Sequence, residues 1–391
     1  ASGDATATGG ALSFITLARL IPNALFAPVG GILADRLDRR KLIVIINVLS
    51  GITALGFPVA LRYKSLELFY VMTSLQSALT ATCYPAMTGI VPLLVVDHNE
   101  PGKTRVDSHN IANNPRDLQL ALTINTWVYG WSYTVAGLLA GTIASVFGLE
   151  GCYFIDFAVY WTSAAVIATC IRGDFRVCDE NYYDHYRESS SNCVHPPFIS
   201  SKNININIFR TAYREVHDLF VYLSACGFGM LVFLKASASF VWGVEDIVGA
   251  QFSTVFQDDG VEDEELSSVH MGMLSSTLGL GCMTGAMVLN LVTDTGKPYT
   301  LQRACLIGIL LMTIGWLAIS FVQTFPQFLL GSFFRTMGAG AILVNSALIL
   351  QTLSHPQILG RVLAAEYTFT TLSEAASCAF LGRLSVAGFS K

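Results

Sequence analysis

The stretch Gly31-Ile32-Leu33-Ala34-Asp35-Arg36-Leu37-Asp38-Arg39-Arg40-Lys41 lies between two apolar runs, and its last seven residues hold two acids and four bases. Upstream, Gly10–Ala34 carries a single charge, Arg19; downstream, Leu42–Leu61 is 20 residues long and has none. A helix needs about 20 predominantly apolar residues to cross a bilayer. The charged stretch therefore reads as a tight loop between two spanning helices.

The rest of the chain extends that pattern. Of its 391 residues 52% are hydrophobic and only 13% charged, about half the ~25% of an ordinary soluble domain. Mean hydropathy is +0.53. There are too few charges to coat a soluble exterior, which excludes a soluble enzyme, a disulfide scaffold and a disordered chain. With net charge −5 there is no basic field for a nucleic acid.

Further apolar runs follow: Leu68–Val96, Leu118–Leu149, Gly151–Ile171 with Asp156, Leu219–Val244 with Lys235, and Met271–Val292. Ala304–Phe334 is uncharged but interrupted at Thr324-Phe325-Pro326, and its second piece continues through Arg335 to about Leu353. Val362–Leu381 holds Glu366 and Glu374. The expectation is an all-α polytopic membrane protein with about ten transmembrane helices, the runs being too long for barrel strands.

Placing the first loop in the cytoplasm and alternating puts 16 of the 23 Lys and Arg residues in cytoplasmic loops, four on the opposite side and three inside apolar runs. This is a strong positive-inside bias. The long polar stretch Arg172–His217 divides the chain into an N-terminal membrane group (1–171), a cytoplasmic linker (172–217) and a C-terminal membrane group (218–391). No positive n-region or cleavage site precedes the first run, so no signal peptide is expected. Both ends of the chain read as cut. Seven of the nine cysteines lie in apolar runs, which implies no disulfide framework.

The Gly31–Lys41 stretch resembles the G-x-L-a-D-r-x-G-r-k loop of the major facilitator superfamily, with Asp38 where that family usually has its second glycine. The resemblance places the loop between the family's second and third helices, so its first and last helices are expected to be absent. It extends to Tyr84-Pro85-Ala86 with Ile90-Val91-Pro92, and to Leu350–Pro356 with Gly360-Arg361-Val362, which are similar to efflux-type members. A weaker echo, Asp294-Thr295-Gly296-Lys297, falls at the equivalent place in the second half.

The resemblance implies a conformational latch of Gly31, Asp35, Arg36, Arg39 and Arg40. Asp35 would sit at the positive N-terminus of a neighbouring helix near Arg361–Glu366, and the arginines would face carboxylates. Two family features, a Gly-Pro pair in the fifth helix and an Arg in the fourth, are missing. Gly137 and Gly141, and likewise Gly281 and Gly285, read as sites of close helix packing.

Charges inside membrane helices are costly unless paired or hydrated. Lys235, Glu374 and Arg19 are therefore the candidate cavity or coupling residues. Two readings of Lys235 and Glu374 stay open: proton coupling, or a structural bridge between the two. Asp246, on nearly the same helical face as Lys235, is too far along the axis to pair with it. Asp156 and Arg335 read as near outer helix ends, and Glu366 as a first-turn residue favoured by the helix dipole.

The linker cluster Cys178, His185, Cys193 and His195 fits no zinc pattern, and the acidic run from Asp258 to Glu265 fits no calcium loop. No phosphate-binding loop is present, so neither metal nor cofactor is expected, and no enzyme activity. The expected function is secondary transport in a lipid bilayer, by resemblance proton-driven antiport that exports a small amphipathic organic molecule. Nutrient or organic-anion uptake by symport and a non-transporting membrane sensor remain alternatives.

Overall fold

The computed structural model describes residues 2–95, 115–171, 175, 229, 232–243, 264–294, 297–354 and 358–386. Among these the regular elements are helices: α1 (Ser2–Arg36), α2 (Arg39–Ala54), α3 (Gly56–Arg62), α4 (Leu66–Val95), α5 (Pro115–Cys170), α6 (Val232–Gly243), α7 (Glu264–Val292), α8 (Pro298–Ile319), α9 (Phe325–Leu353) and α10 (Leu359–Val386). In a bilayer the backbone must satisfy its own hydrogen bonds, and a helix does so within one segment.

Breaks between helices have local causes. Pro58 cannot donate to the carbonyl of Ala54 and would clash with it. The helix accordingly pauses at Leu55, and α2 and α3 form one crossing, Arg39–Arg62. A straight α5 of 56 residues would reach about 84 Å, far beyond a core of about 30 Å. Gly148, with φ +67° and ψ 172°, redirects it there, in a conformation glycine alone adopts cheaply. The two arms, 115–147 and 149–170, correspond to the runs expected from sequence. Helices α8 and α9 both open with proline in the first turn, where its missing N–H costs nothing.

Seven segments among the described residues are long and apolar enough to cross a membrane: Phe14–Arg36, Arg39–Arg62, Leu66–Val95, Val146–Cys170, Val269–Leu291, Tyr299–Ile319 and Phe325–Thr352. Their outward faces are apolar. Leu306, Leu310, Ile314 and Leu317 line one exposed face of α8, a pattern that suits hydrocarbon. The protein is thus an integral, multi-pass membrane protein with an all-α fold.

Two seams join α1–α5 to α6–α10. Helix α1 runs antiparallel along α10, and the first arm of α5 lies along α7. Inside the first group, Leu42, Ile43, Ile46, Ala86, Ile90 and Leu93 form a core that also receives Phe175. The remainder of the linker lies outside the described residues.

Candidate functional site: the seam between α1 and α10

The seam begins where α10 starts. Asp35, in the last turn of α1, accepts hydrogen bonds from the backbone N–H of Gly360 at 2.8 Å and of Arg361 at 3.2 Å. These are among the first N–H groups of α10, which have no partner within their own helix. The dipole of that helix end favours an anion. Two guanidinium groups complete the site: Arg361 Nε at 3.3 Å and Arg39 Nη2 at 3.4 Å from the carboxylate.

Close backbone approach makes this possible. A Cβ on Gly31 would lie 2.5 Å from the Ala364 Cβ, and one on Gly360 would lie 2.4 Å from Asp35 Oδ1. Arg39 is fully buried. Besides Asp35 it donates to the Ala34 carbonyl at 3.1 Å and to the Gly89 carbonyl, tying the loop to α4.

Arg40 and Asp38 hold the loop in other ways. Arg40 donates to the carbonyl of Ala168 near the end of α5, not to a carboxylate. Arg36 is half-buried in the last turn of α1. Asp38 is the N-cap of α2: its side chain accepts from the Arg40 N–H at 3.0 Å, with φ −63°. The loop therefore needs no left-handed residue, which explains how aspartate can stand where the family motif has glycine.

Farther along α10 come two acid–base pairs. Lys235 of α6 pairs with Glu366, both buried. Arg19 of α1 pairs with Glu374 at 3.5 Å. The suggested bridge between Lys235 and Glu374 is thus not formed; each takes a different partner. The reason is helix register: α10 begins at Leu359, so Glu366 lies two turns in, level with Lys235, and is not a first-turn residue. Glu374 lies about 12 Å farther along the axis, level with Arg19.

Two tyrosines lie within electrostatic reach of these pairs. Tyr84 of α4 stacks on Tyr367 of α10 with centroids 4.1 Å apart. Tyr129 and Tyr133 of α5 lie 5.1 Å apart, and Tyr129 is within electrostatic reach of Tyr84.

The second seam is joined, among the described residues, by glycines and neutral polar side chains. Gly137 abuts the Gly272 carbonyl, 2.7 Å from an added Cβ. Ser276 Oγ donates to the Thr134 carbonyl at 3.1 Å, and Thr134 Oγ1 to the Ser276 carbonyl at 3.3 Å. Nearer the Asp35 end, Gln119 donates to Asn290 at 3.3 Å, Asn290 donates to Thr123, and Asn345 donates to Asn290 at 3.4 Å. Gly281 and Gly285 pack on α9 at Thr336 and Met337. The surroundings of Gly141 lie outside the described residues.

Arg335 is not near a helix end. It is ten residues into α9, fully buried, with the indoles of Trp242 and Trp316 at 5.1 Å and 5.5 Å. Asp156 is exposed. Asp294 forms an exposed pair with Lys297 at 3.3 Å. Asp246, the linker cluster from Cys178 to His195 and the run from Asp258 to Asp263 fall outside the described residues.

Residues 2–377 match the sequence model of the Major Facilitator Superfamily. The chain belongs to that family. A curated relative, the uncharacterized MFS-type transporter YfiS of Bacillus subtilis (strain 168), is 20% identical over 156 residues. That alignment covers 40% of this chain and 32% of the relative. In structure the chain is similar to the human organic anion transporter MFSD10 (TETRAN), with TM-score 0.66 at 14% identity, over 96% of this chain and 78% of that one. It is also similar to the nucleoside transporter NupG, with TM-score 0.52 at 12% identity, over 96% and 82% of the two chains.

Sequence reasoning gave Glu366 only a dipole role, and did not single out the four tyrosines, Gly89 or the Asn290 cluster as contact residues. Tyr84 carried a signal, since it opens the Tyr84-Pro85-Ala86 motif, and Glu366 carried one as an acid within an apolar helix. Nothing in the sequence pointed to Tyr129, Tyr133 or Asn290 as contact residues.

Proposed function

We propose that this chain works as a proton-driven exporter of a small amphipathic organic molecule, its two helix groups rocking about the seams between them. The observation that carries the reading is the Arg19–Glu374 pair. It joins α1 to α10 across the seam, and its side chains keep 47% and 18% of their surface. A carboxylate that is reachable, and whose partner belongs to the opposite group, links protonation to the separation of the groups. Neutralising Glu374 weakens one tie between α1 and α10.

The Asp35 site supports the latch reading. It closes the loop end of the bundle by joining Asp35 to the first backbone groups of α10, and rocking has to break those bonds. In this arrangement Gly31, Asp35 and Arg39 set the balance between conformations and do not contact solute, while Arg36 and Arg40 fix the loop. Lys235 and Glu366 form the buried charge pair of the C-terminal group. Lys235 also favours one second reading, uptake of an organic anion with a proton, since a cation beside the central tyrosines suits an anionic solute.

The test follows efflux of amphipathic dyes from cells, with and without a protonophore, for the wild type and Glu374→Gln. Export that stops with protonophore and falls at least tenfold in the variant is the expected outcome. Export that persists with protonophore overturns proton drive. Export lost with protonophore but kept in the variant removes Glu374 from coupling, and proton-stimulated accumulation of organic anions turns the reading to uptake.

A further inference from the structure

Tyr84 and Tyr367 come from opposite helix groups, and their rings lie nearly parallel, 20° apart in plane and 4.1 Å between centroids. Contact at that distance leaves no room for a third ring. Parting the groups by about one van der Waals separation, roughly 3.5 Å, would turn the stack into a slot with an aromatic face on each side. Tyr129 of α5 is within electrostatic reach of Tyr84 and has Tyr133 beside it; the two keep 51% and 40% of their surface exposed. Lys235 and Glu366 act electrostatically on Tyr84, and Arg19 and Glu374 on Tyr367. The two stacked tyrosines thus lie between the two acid–base pairs, one ring in reach of each.

We propose that the Tyr84–Tyr367 stack holds the place of the substrate, and that the transported solute is a planar aromatic molecule whose ring enters between these two rings when the groups part. The inference rests on the transporter reading and narrows its substrate class. Opening the seam exposes two ring faces that lose their partner. A planar ring restores contact on both faces at once, with the offset or tilted geometry that aromatic pairs favour. A flexible alkyl chain of similar size fills a flat slot poorly and loses rotamer freedom on entering it. Binding of the right solute therefore stabilises the parted state, and an aliphatic amphipath does so less.

Equilibrium binding to the purified protein in lipid nanodiscs tests this without any gradient, with empty nanodiscs as the blank. The probes are charge-matched pairs: 2-naphthoate against nonanoate, and 2-naphthylmethylammonium against nonylammonium. In at least one pair the naphthyl member is expected to bind about tenfold more tightly, the scale of one good aromatic contact. Tyr84→Leu and Tyr367→Leu should bring that ratio close to one, while Tyr84→Phe and Tyr367→Phe keep it.

Thermal unfolding of each variant separates loss of the fold from loss of selectivity, and the Phe variants retain the ring should a Leu variant fail to fold. Equal affinity within both pairs overturns the proposal, as does a ratio that survives both Leu changes, or binding of none of the four probes. Selective binding without protonophore-sensitive export leaves this inference standing and removes proton drive; proton-driven export without aromatic preference does the reverse.

Discussion

Asp35 lies in the last turn of α1 and Asp294 two residues past the end of α7; each is followed within four residues by a base, yet they live in different physical worlds. Asp35 keeps 2% of its side-chain surface, accepts from two backbone N–H groups and faces two guanidinium groups. Asp294 keeps 55% and pairs with Lys297, itself 57% exposed. What separates them is the neighbour. At Asp35, Gly31 and Gly360 let the start of α10 come against α1. Beside α7 the bonds to the first arm of α5 run from Asn290 to Gln119 and Thr123, and Asp294 itself stays at the exposed end. A motif's spacing supplies the acid, but an approaching helix end supplies the partners that bury it.

Asp35→Asn is expected to have the largest effect. It leaves Arg39 and Arg361 facing a neutral group, and removing one partner of a buried charge cluster costs about 3–5 kcal/mol. Thermal unfolding of the purified protein should show a large drop in midpoint, and transport should fall at least tenfold. Cysteine-accessibility labelling of the seam between α1 and α10 should report a shift toward the parted state. An Asp35→Asn protein that is as stable and as active as wild type would break the comparison outright.

Gly360→Ala attacks the same lock from the backbone side. The new Cβ falls 2.4 Å from Asp35 Oδ1 and 2.8 Å from the Gly31 carbonyl, so the carboxylate or α10 must move. Overpacking of this kind costs about 1–3 kcal/mol. The expected result is a defect like that of Asp35→Asn but smaller, and the double variant should show less than additive loss because both changes act on one contact.

Asn290→Ala probes the seam between α5 and α7. It removes the bonds to Gln119, Thr123 and Asn345, and polar side-chain contacts between membrane helices are worth about 0.6 kcal/mol on average. A destabilisation of about 1 kcal/mol, additive with Asp35→Asn, is expected in a double-mutant cycle. Strong coupling between these two sites would mean that the seams do not open independently.

Much of this was legible in sequence, and what was not has a definable cause. The Gly31–Lys41 loop announced its helices through charge density, the Thr324–Pro326 break through a proline, and the target of Asp35 through the family's own pattern. Pairing was harder. Lys235 and Glu366 are 131 residues apart, and an all-apolar helix offers no amphipathic face from which to fix its rotation. Glu366 was misjudged because α10 starts three residues before the apolar run does, which moves this acid from the first turn into the packed interior. Arg335 was misplaced for a related reason: the uncharged residues around it hid that Trp242, on a helix 93 residues earlier, closes over its guanidinium.

Asp294→Asn should do least, and that small effect is the sharpest form of the comparison. An exposed pair such as Asp294–Lys297 contributes about 0.2–1 kcal/mol at most, because water and salt screen both partners. The substitution keeps the volume and an acceptor oxygen while removing the charge, so its unfolding midpoint should stay within about 1 °C of wild type and its transport rate within twofold. Raising the salt should erase even that difference, while leaving the defect of Asp35→Asn in place because that site is shielded from counterions. If Asp294→Asn instead matches Asp35→Asn in transport at unchanged stability, the exposed pair makes a contact in another conformation of the cycle, and burial in a single conformation is a poor guide to which acid is the lock.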